Sequence, residues 1–197
     1  LERLRQEGRR PFDTSSGAYP FRTVAYVSGF LELWEQVERG GVAPAAIYVA
    51  AGIHTFLGMV IASRALGLES LPIIAVEIAP RDRAATRLGM VQLAAEVCHL
   101  LDFNIDFEPN DFEICSDFVG PDYGVATDEG REAIDLAARY EGLLLDPSYT
   151  GKAMAALLSH IRGGRWTKAD NVVFVHTGGI PALFAYADDL QLQTTGS

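Results

Sequence analysis

The chain has 197 residues, 49% of them hydrophobic and 21% charged, with a formal net charge of −10 at pH 7. That size gives one good core, or one core and a fragment of a second, and the composition excludes a disordered chain. The acidic surplus argues against a nucleic-acid surface, no apolar run reaches membrane-spanning length, and no signal-peptide pattern is present.

The chain opens on a charged, helix-like "LERLRQEGRR". Residues 22–41 then carry apolar side chains at helical spacing and end in Gly40-Gly41, a stop signal. "AAIYVAA" is a short continuous apolar run that suits a parallel strand covered on both faces. A turn at Gly52-Ile53-His54-Thr55 leads into a helix predicted from Phe56 to about Leu66. "LPIIAVEIAP" reads as a second buried strand, and Asp82 opens a long helix through "RDRAATRLGMVQLAAEVCHLL". Residues 103–126 show no helical period and are expected to be loop with short extended pieces. Thr127-Asp128-Glu129 starts an amphipathic helix to about Tyr140, with its acids at the positive end. "GLLLDP" is a short strand or strand-like approach, "SYTGKAMAALLSHIRGG" a helix stopped by Gly163-Gly164, "NVVFVHTGG" a clear strand, and "IPALFAYADDL" a terminal helix.

Strands alternating with helices predict an α/β fold, a mostly parallel twisted sheet with helices on both faces. Ligands of such sheets lie beyond the carboxyl ends of the strands, where residues 52–58, 146–151 and 176–179 should gather. The chemistry available there is limited. His99 and His160 fall within helices and read as structural or surface groups. There is no His-Glu-x-x-His, paired Cys-x-x-Cys, Gly-x-Ser-x-Gly, Walker or Gly-x-Gly-x-x-Gly pattern, so no metal site is expected. Cys98 and Cys115 lack metal-ligand spacing and read as reduced thiols of a cytoplasmic protein. Tyr123 and Tyr149 sit among turn residues, where a phenol either handles a proton and stacks on a flat ligand or simply caps the core with its hydroxyl in water.

Three blocks, "VGPDYGVATDEGREAI", "EGLLLDPSYTGKAMAAL" and "NVVFVHTGGIPALFAY", together with "YVAAGIHTFLG" and "YPFRTVAYV", resemble the D-cysteine desulfhydrase and 1-aminocyclopropane-1-carboxylate (ACC) deaminase family. These are pyridoxal-phosphate enzymes of fold type II, the tryptophan-synthase β-like fold. The resemblance runs in order along nearly the whole chain. It implies that residues 1–197 form one α/β region, most of the cofactor-binding large domain plus part of the small one, without the N-terminal part of the family fold. It implies Tyr123 and Tyr149 facing substrate, and Thr55 and Gly58 on the phosphate loop. It also implies Thr150 opposite the pyridine nitrogen, and Thr177, Gly178 and Gly179 as a wall of the cofactor pocket.

A hydroxyl at position 150, where deaminases of the family carry Glu, supports the electron sink less and points to β-elimination of a small thiol amino acid to pyruvate, ammonia and sulfide. The family's assembly implies a homo-oligomer, or a second chain that supplies the missing segment. Two departures qualify this reading. The cofactor-binding lysine belongs to a segment that the resemblance places before this chain, and Lys152 and Lys168, the only lysines, match other positions, so the isolated chain is expected to be inactive. The phosphate loop is also degenerate: Ile53 and His54 replace glycines, which distorts a backbone nest and leaves the helix start, Thr55 and a cationic His54 to hold an anion. Gly17-Ala18-Tyr19-Pro20 likewise replaces the family's Gly-Ser-Asn-Pro. A degenerate, non-catalytic binding or partner subunit is the alternative that these departures raise.

Overall fold

A computed structural model describes residues 1–11, 19–50 and 52–190 of the chain. After a short helix α1 (Glu2–Gln6), the elements follow in the order α2 (Tyr19–Arg39), β1 (Pro44–Ala50), α3 (Ile53–Ala65), β2 (Ile73–Val76) and α4 (Arg83–Leu100). They continue with β3 (Glu113–Cys115), α5 (Asp128–Leu136), α6 (Thr150–Arg162) and β4 (Asn171–Val175). The four strands form one sheet in the order β3-β2-β1-β4, and every pairing is parallel. The expected α/β architecture is therefore the one observed.

Alternation along the strands builds two cores. Ile47 and Val49 of β1, with Ile73 and Ala75 of β2, face α2, α3 and α4. Ala46, Tyr48 and Ala50, with Ile74 and Val76, face α6. Helix α3 is enclosed on all sides, with residues 56–63 buried without a break, which is the pattern of a helix apolar all round. Phe56, Leu57 and Ile61 have no exposed surface, each contributing about 1.5–3 kcal/mol by burial. Beneath α6, Tyr48 is fully buried with its hydroxyl satisfied twice: it accepts from Trp166 Nε1 at 2.8 Å and meets His160 Nδ1 at 2.5 Å. The indole N–H can only donate, so the Tyr48 oxygen accepts from it, and the Tyr48 O–H stays available for His160 Nδ1. Burial, and then the Arg165 charge, push His160 below the usual imidazole range.

The caps agree with the sequence reading: Asp82 accepts from Ala85 N at 3.1 Å, and Thr127 accepts from Gly130 N at 3.0 Å. Three expectations need correction. Helix α3 begins at Ile53 rather than Phe56, because Gly52 takes the N-cap position with an extended backbone (φ −84°, ψ 131°). "GLLLDP" is not a strand: its backbone groups turn to other partners, Leu144 O to His176 Nε2 at 2.9 Å and Asp146 N to Thr150 Oγ1 at 2.9 Å, while Leu145 packs against Ile134 and Ala137. "IPALFAYADDL" forms a 3₁₀ turn over Ile180–Tyr186 rather than an α-helix; it buries no residue, and Phe184 is 87% exposed, so no packed face holds a regular helix in place.

Candidate functional site

The sheet reverses its winding between β1 and β4. From β1 the chain leaves into α3 on one face, and it returns to β4 from α6 on the other. A crevice opens beyond the carboxyl ends of strands at such a point. Beside β4, on the α2 and α3 face of the sheet, lies a cavity of about 410 Å³, walled by Tyr26, Phe30 and Leu33 of α2, Thr55 and Met59 of α3, and residues 173–177. Its size is that of a site for a small organic ligand, and its polar side chains are Tyr26, Thr55, His176 and Thr177.

On the α6 side of the sheet edge, Asp146 organises the helix start. One carboxylate oxygen accepts from Ser148 N (2.8 Å) and Tyr149 N (2.9 Å), the other from Thr150 N (2.8 Å) and Thr150 Oγ1 (2.8 Å). A buried carboxylate at the positive end of a helix thus satisfies three N–H groups that the helix itself leaves unpaired. Gly179 lies against this cap: a Cβ there would stand 2.4 Å from the Asp146 carboxyl carbon, and its φ of +95° suits glycine. The turn after β4 is thereby fastened to the start of α6, with Gly178 N donating to His176 Nδ1 at 3.2 Å.

The two tyrosines meet. The Tyr123 and Tyr149 hydroxyls are hydrogen-bonded to one another, their rings edge to face with centroids 5.8 Å apart. Tyr123 is 53% exposed and Tyr149 half-buried. The bond to Tyr123, and then burial, push the Tyr149 phenol up to about 12, so it keeps its proton at neutral pH. Tyr186 closes the same corner by donating to Gly124 O at 2.5 Å. Hence the Tyr123 loop, the α6 start and the turn after β4 gather at one sheet edge. Thr55 and Thr177 share the cavity, whereas the tyrosine pair sits on the α6 side of that edge and does not line it.

Other residues singled out in the sequence have different surroundings. Thr150 has no exposed surface; its hydroxyl donates to Asp146 Oδ1 at 2.8 Å and accepts from Asp146 N at 2.9 Å. His54 is in the first turn of α3, where Nδ1 bonds Thr23 Oγ1 at 2.8 Å and Tyr19 packs edge-on at 4.5 Å. Burial, and then the Arg22 charge, push His54 below the usual imidazole range. Gly58 packs against α2, where a Cβ would lie 2.6 Å from Thr23 O and Tyr26 Cβ. This is a steric reason for glycine independent of any ligand. Gly17 and Ala18 lie outside the described residues.

Neither lysine presents a free amine to the crevice. Lys152 is fully buried, and its Nζ donates to Val119 O (2.7 Å), Ile78 O (3.2 Å) and Asp122 O (3.2 Å). Lys168 is exposed three residues before β4, at the amino end of the sheet and so opposite the crevice. Among the described residues no cluster of three or more metal-ligating side chains occurs, and no helix is long and apolar enough to cross a membrane. Cys98 and Cys115 are unpaired, with both thiols pushed up by burial.

Sequence reasoning passed over two residues that build this edge. Asp146 carried a signal, since an Asp four residues ahead of the helix in "DPSYT" is a capping pattern. Tyr186 carried none, because its partner is a backbone carbonyl 62 residues away.

Comparison with known proteins agrees with this geometry. The sequence pattern of the family described as "Pyridoxal-phosphate dependent enzyme" matches residues 1–178. A solved crystal structure of an ACC deaminase homologue is similar to this chain with a TM-score of 0.82 and 31% sequence identity. The match covers 96% of this chain and 56% of that one, so the chain spans little more than half the length of that relative. A family match over nine-tenths of its length, on a parallel sheet of the same fold as that relative, places the chain among the pyridoxal-phosphate dependent enzymes, in their ACC deaminase and D-cysteine desulfhydrase-like branch.

Proposed function

We propose that this chain contributes the crevice and the proton-handling tyrosines of a D-cysteine desulfhydrase-class lyase, and that the 197 residues alone do not turn over substrate. The reaction is β-elimination of a small thiol amino acid, in which one water is consumed and pyruvate, ammonia and sulfide are released. The observation that carries the reading is the Tyr123–Tyr149 hydroxyl pair at the ligand edge of the sheet. Two phenols bonded one to the other keep one O–H to point outward. The bond to Tyr123 holds the proton on Tyr149, so the outward O–H is that of the exposed Tyr123, which donates to a departing thiolate. The lack of a carboxylate at position 150 favours elimination over ring opening.

Family membership implies pyridoxal phosphate, which when bound stabilises negative charge on the substrate's α-carbon. The residues present fit its non-covalent attachment. The start of α3 offers N–H groups that the helix leaves unpaired, with the Thr55 hydroxyl beside them and Thr177 lining the same hollow. They do not fit covalent attachment, because the Lys152 amine is consumed by three carbonyls and Lys168 lies at the far end of the sheet. The amine then comes from chain outside these residues, in the same polypeptide or in a partner subunit of a homo-oligomer or mixed assembly.

A test is to incubate the chain with pyridoxal phosphate, reduce with cyanoborohydride and map modified lysines, while assaying sulfide from D-cysteine. We expect neither stoichiometric label at Lys152 nor sulfide from the chain alone. Sulfide should appear when the lysine-bearing segment of an ACC deaminase-like relative is added. Turnover by the chain alone, with label on Lys152, would overturn the proposal. The alternative, a non-catalytic partner subunit, is favoured by His54 being spent on Thr23 rather than aimed at an anion, and it predicts no sulfide under either condition.

A further inference from the structure

Lys152 is a charged side chain with no exposed surface, and no carboxylate is bonded to it among the described residues. An ammonium has three N–H donors, and here three backbone carbonyls take them: Val119 O at 2.7 Å, Ile78 O and Asp122 O at 3.2 Å. The three oxygens come from separate stretches of chain, one just past β2 and two from the loop after β3, so no local backbone regularity forces them to converge. Carbonyls turned inward in this way replace the hydration shell of a cation, as they do around monovalent ions elsewhere. Without the cation Ile78 O and Val119 O lose this donor and Asp122 O keeps only Val125 N at 3.4 Å, a costly state for the carbonyls that water does not reach. Burial acts to lower the Lys152 pKa, and the Asp122 and Asp146 charges counter it.

The cage also holds the tyrosine loop. Asp122 presents its carbonyl to Lys152, and its side-chain oxygen accepts from Tyr123 N at 2.7 Å. Tyr123 then reaches Tyr149, three residues before Lys152 at the start of the same helix. The loop is thus closed on α6 at two points, hydroxyl to hydroxyl and ammonium to carbonyls.

We propose that Ile78 O, Val119 O and Asp122 O form a binding site for a primary ammonium ion, that Lys152 supplies this ion on a tether, and that its occupancy positions Tyr123 against Tyr149. Lys152 is in these terms a positioning residue, and the site is separable from its side chain. Lys152→Ala removes the atoms from Cγ to Nζ, which n-propylammonium replaces one for one. Lys152→Met keeps most of the stem, carries no charge, and leaves no room for an added ammonium.

The experiment is hydrogen–deuterium exchange at neutral pH, read in peptides covering residues 119–124. Both variants should exchange about tenfold faster or more in this loop, the effect of losing charge-assisted hydrogen bonds. Added n-propylammonium chloride should restore slow exchange in Lys152→Ala and not in Lys152→Met. Tetramethylammonium chloride, of equal charge but without N–H, should restore neither. If Lys152→Ala does not fold unaided, the yield of folded protein on refolding in the two salts gives the same reading. Equal effects of the two salts on Lys152→Ala, or a Lys152→Met loop as slow as that of the unaltered chain, would overturn the proposal. None of these readouts involves the cofactor or turnover, so the ammonium site and the lyase reading fail separately.

Discussion

Removing the Asp146 carboxylate tests whether the α6 cap holds the ligand edge together. Four hydrogen bonds end on its two oxygens, at 2.8 to 2.9 Å, and the residue is fully buried. Asp146→Asn keeps the shape and loses the charge. Even its better orientation, with the carbonyl oxygen toward Ser148 N and Tyr149 N, sets an amide N–H against Thr150 N–H. One charge-assisted bond is lost, one buried donor is orphaned and the remaining bonds weaken, a loss of about 2–3 kcal/mol. Asp146→Ala orphans all three N–H groups and leaves a void beside Gly179, and should cost about 4–5 kcal/mol, at the upper end for a single substitution. Against a total of about 5–15 kcal/mol, the alanine variant is close to unfolding. Urea denaturation followed by circular dichroism, with linear extrapolation, reads both values. An asparagine variant within about 1 kcal/mol of the parent would refute the reasoning, because the structure allows no neutral side chain to satisfy these donors together.

Gly58→Ala should destabilise by about 1–3 kcal/mol, because the added methyl meets backbone of α2 that cannot step aside, whereas Gly29→Ala on α2, with nothing within 4 Å, should be neutral or stabilising. Thermal melts of the pair decide whether position 58 is a packing site. Tyr123→Phe should bring the Tyr149 titration down from about 12 toward the ordinary value of about 10, followed by tyrosinate absorbance. An unchanged titration would mean that burial, rather than the hydroxyl pair, raises it. His54 and His160 both have folded values pushed below the usual one of about 6.5, so the unfolded chain binds their protons more readily. Stability should therefore be whole above that pH and fall as pH drops through it toward the folded values. Melting temperature against pH should show this slope, and it should flatten in a His54→Gln, His160→Gln double variant.

The layers of the fold were legible because they follow from periodicity. "AAIYVAA" and "NVVFVHTGG" carry continuous apolar runs, Asp82 and Thr127 announce their helices, and Gly163-Gly164 ends α6. The helix start at Ile53 was harder to place, because Gly52 acts as an N-cap without lending a side chain, and Ile53 gives the same apolar signal in a turn or a helix. The run "GLLLDP" misled for a related reason: local hydrophobicity shows that Leu145 is buried, but not that the neighbouring backbone bonds a distant histidine in place of a strand. At the site, the tyrosine loops could be recognised from their turn residues. The hydroxyl-to-hydroxyl contact, the carbonyl cage around Lys152 and the steric duty of Gly58 are long-range, and no spacing rule encodes them.

The strand order has a consequence for how the chain is made. Strand β1 is central, yet its partner on one side, β4, is the last strand of the described chain, with Pro44 opposite Asn171. During synthesis β1 emerges well ahead of β4 and pairs first with β2, while its other edge and the surfaces of α2 and α3 that face β4 stay wet until the ribosome has delivered residues 171–175. Closing so long a loop makes the final docking slow. Half-made chains with such an open flank attract one another, so yield should respond to growth temperature and to chaperone supply more strongly than the stability of the finished fold would suggest.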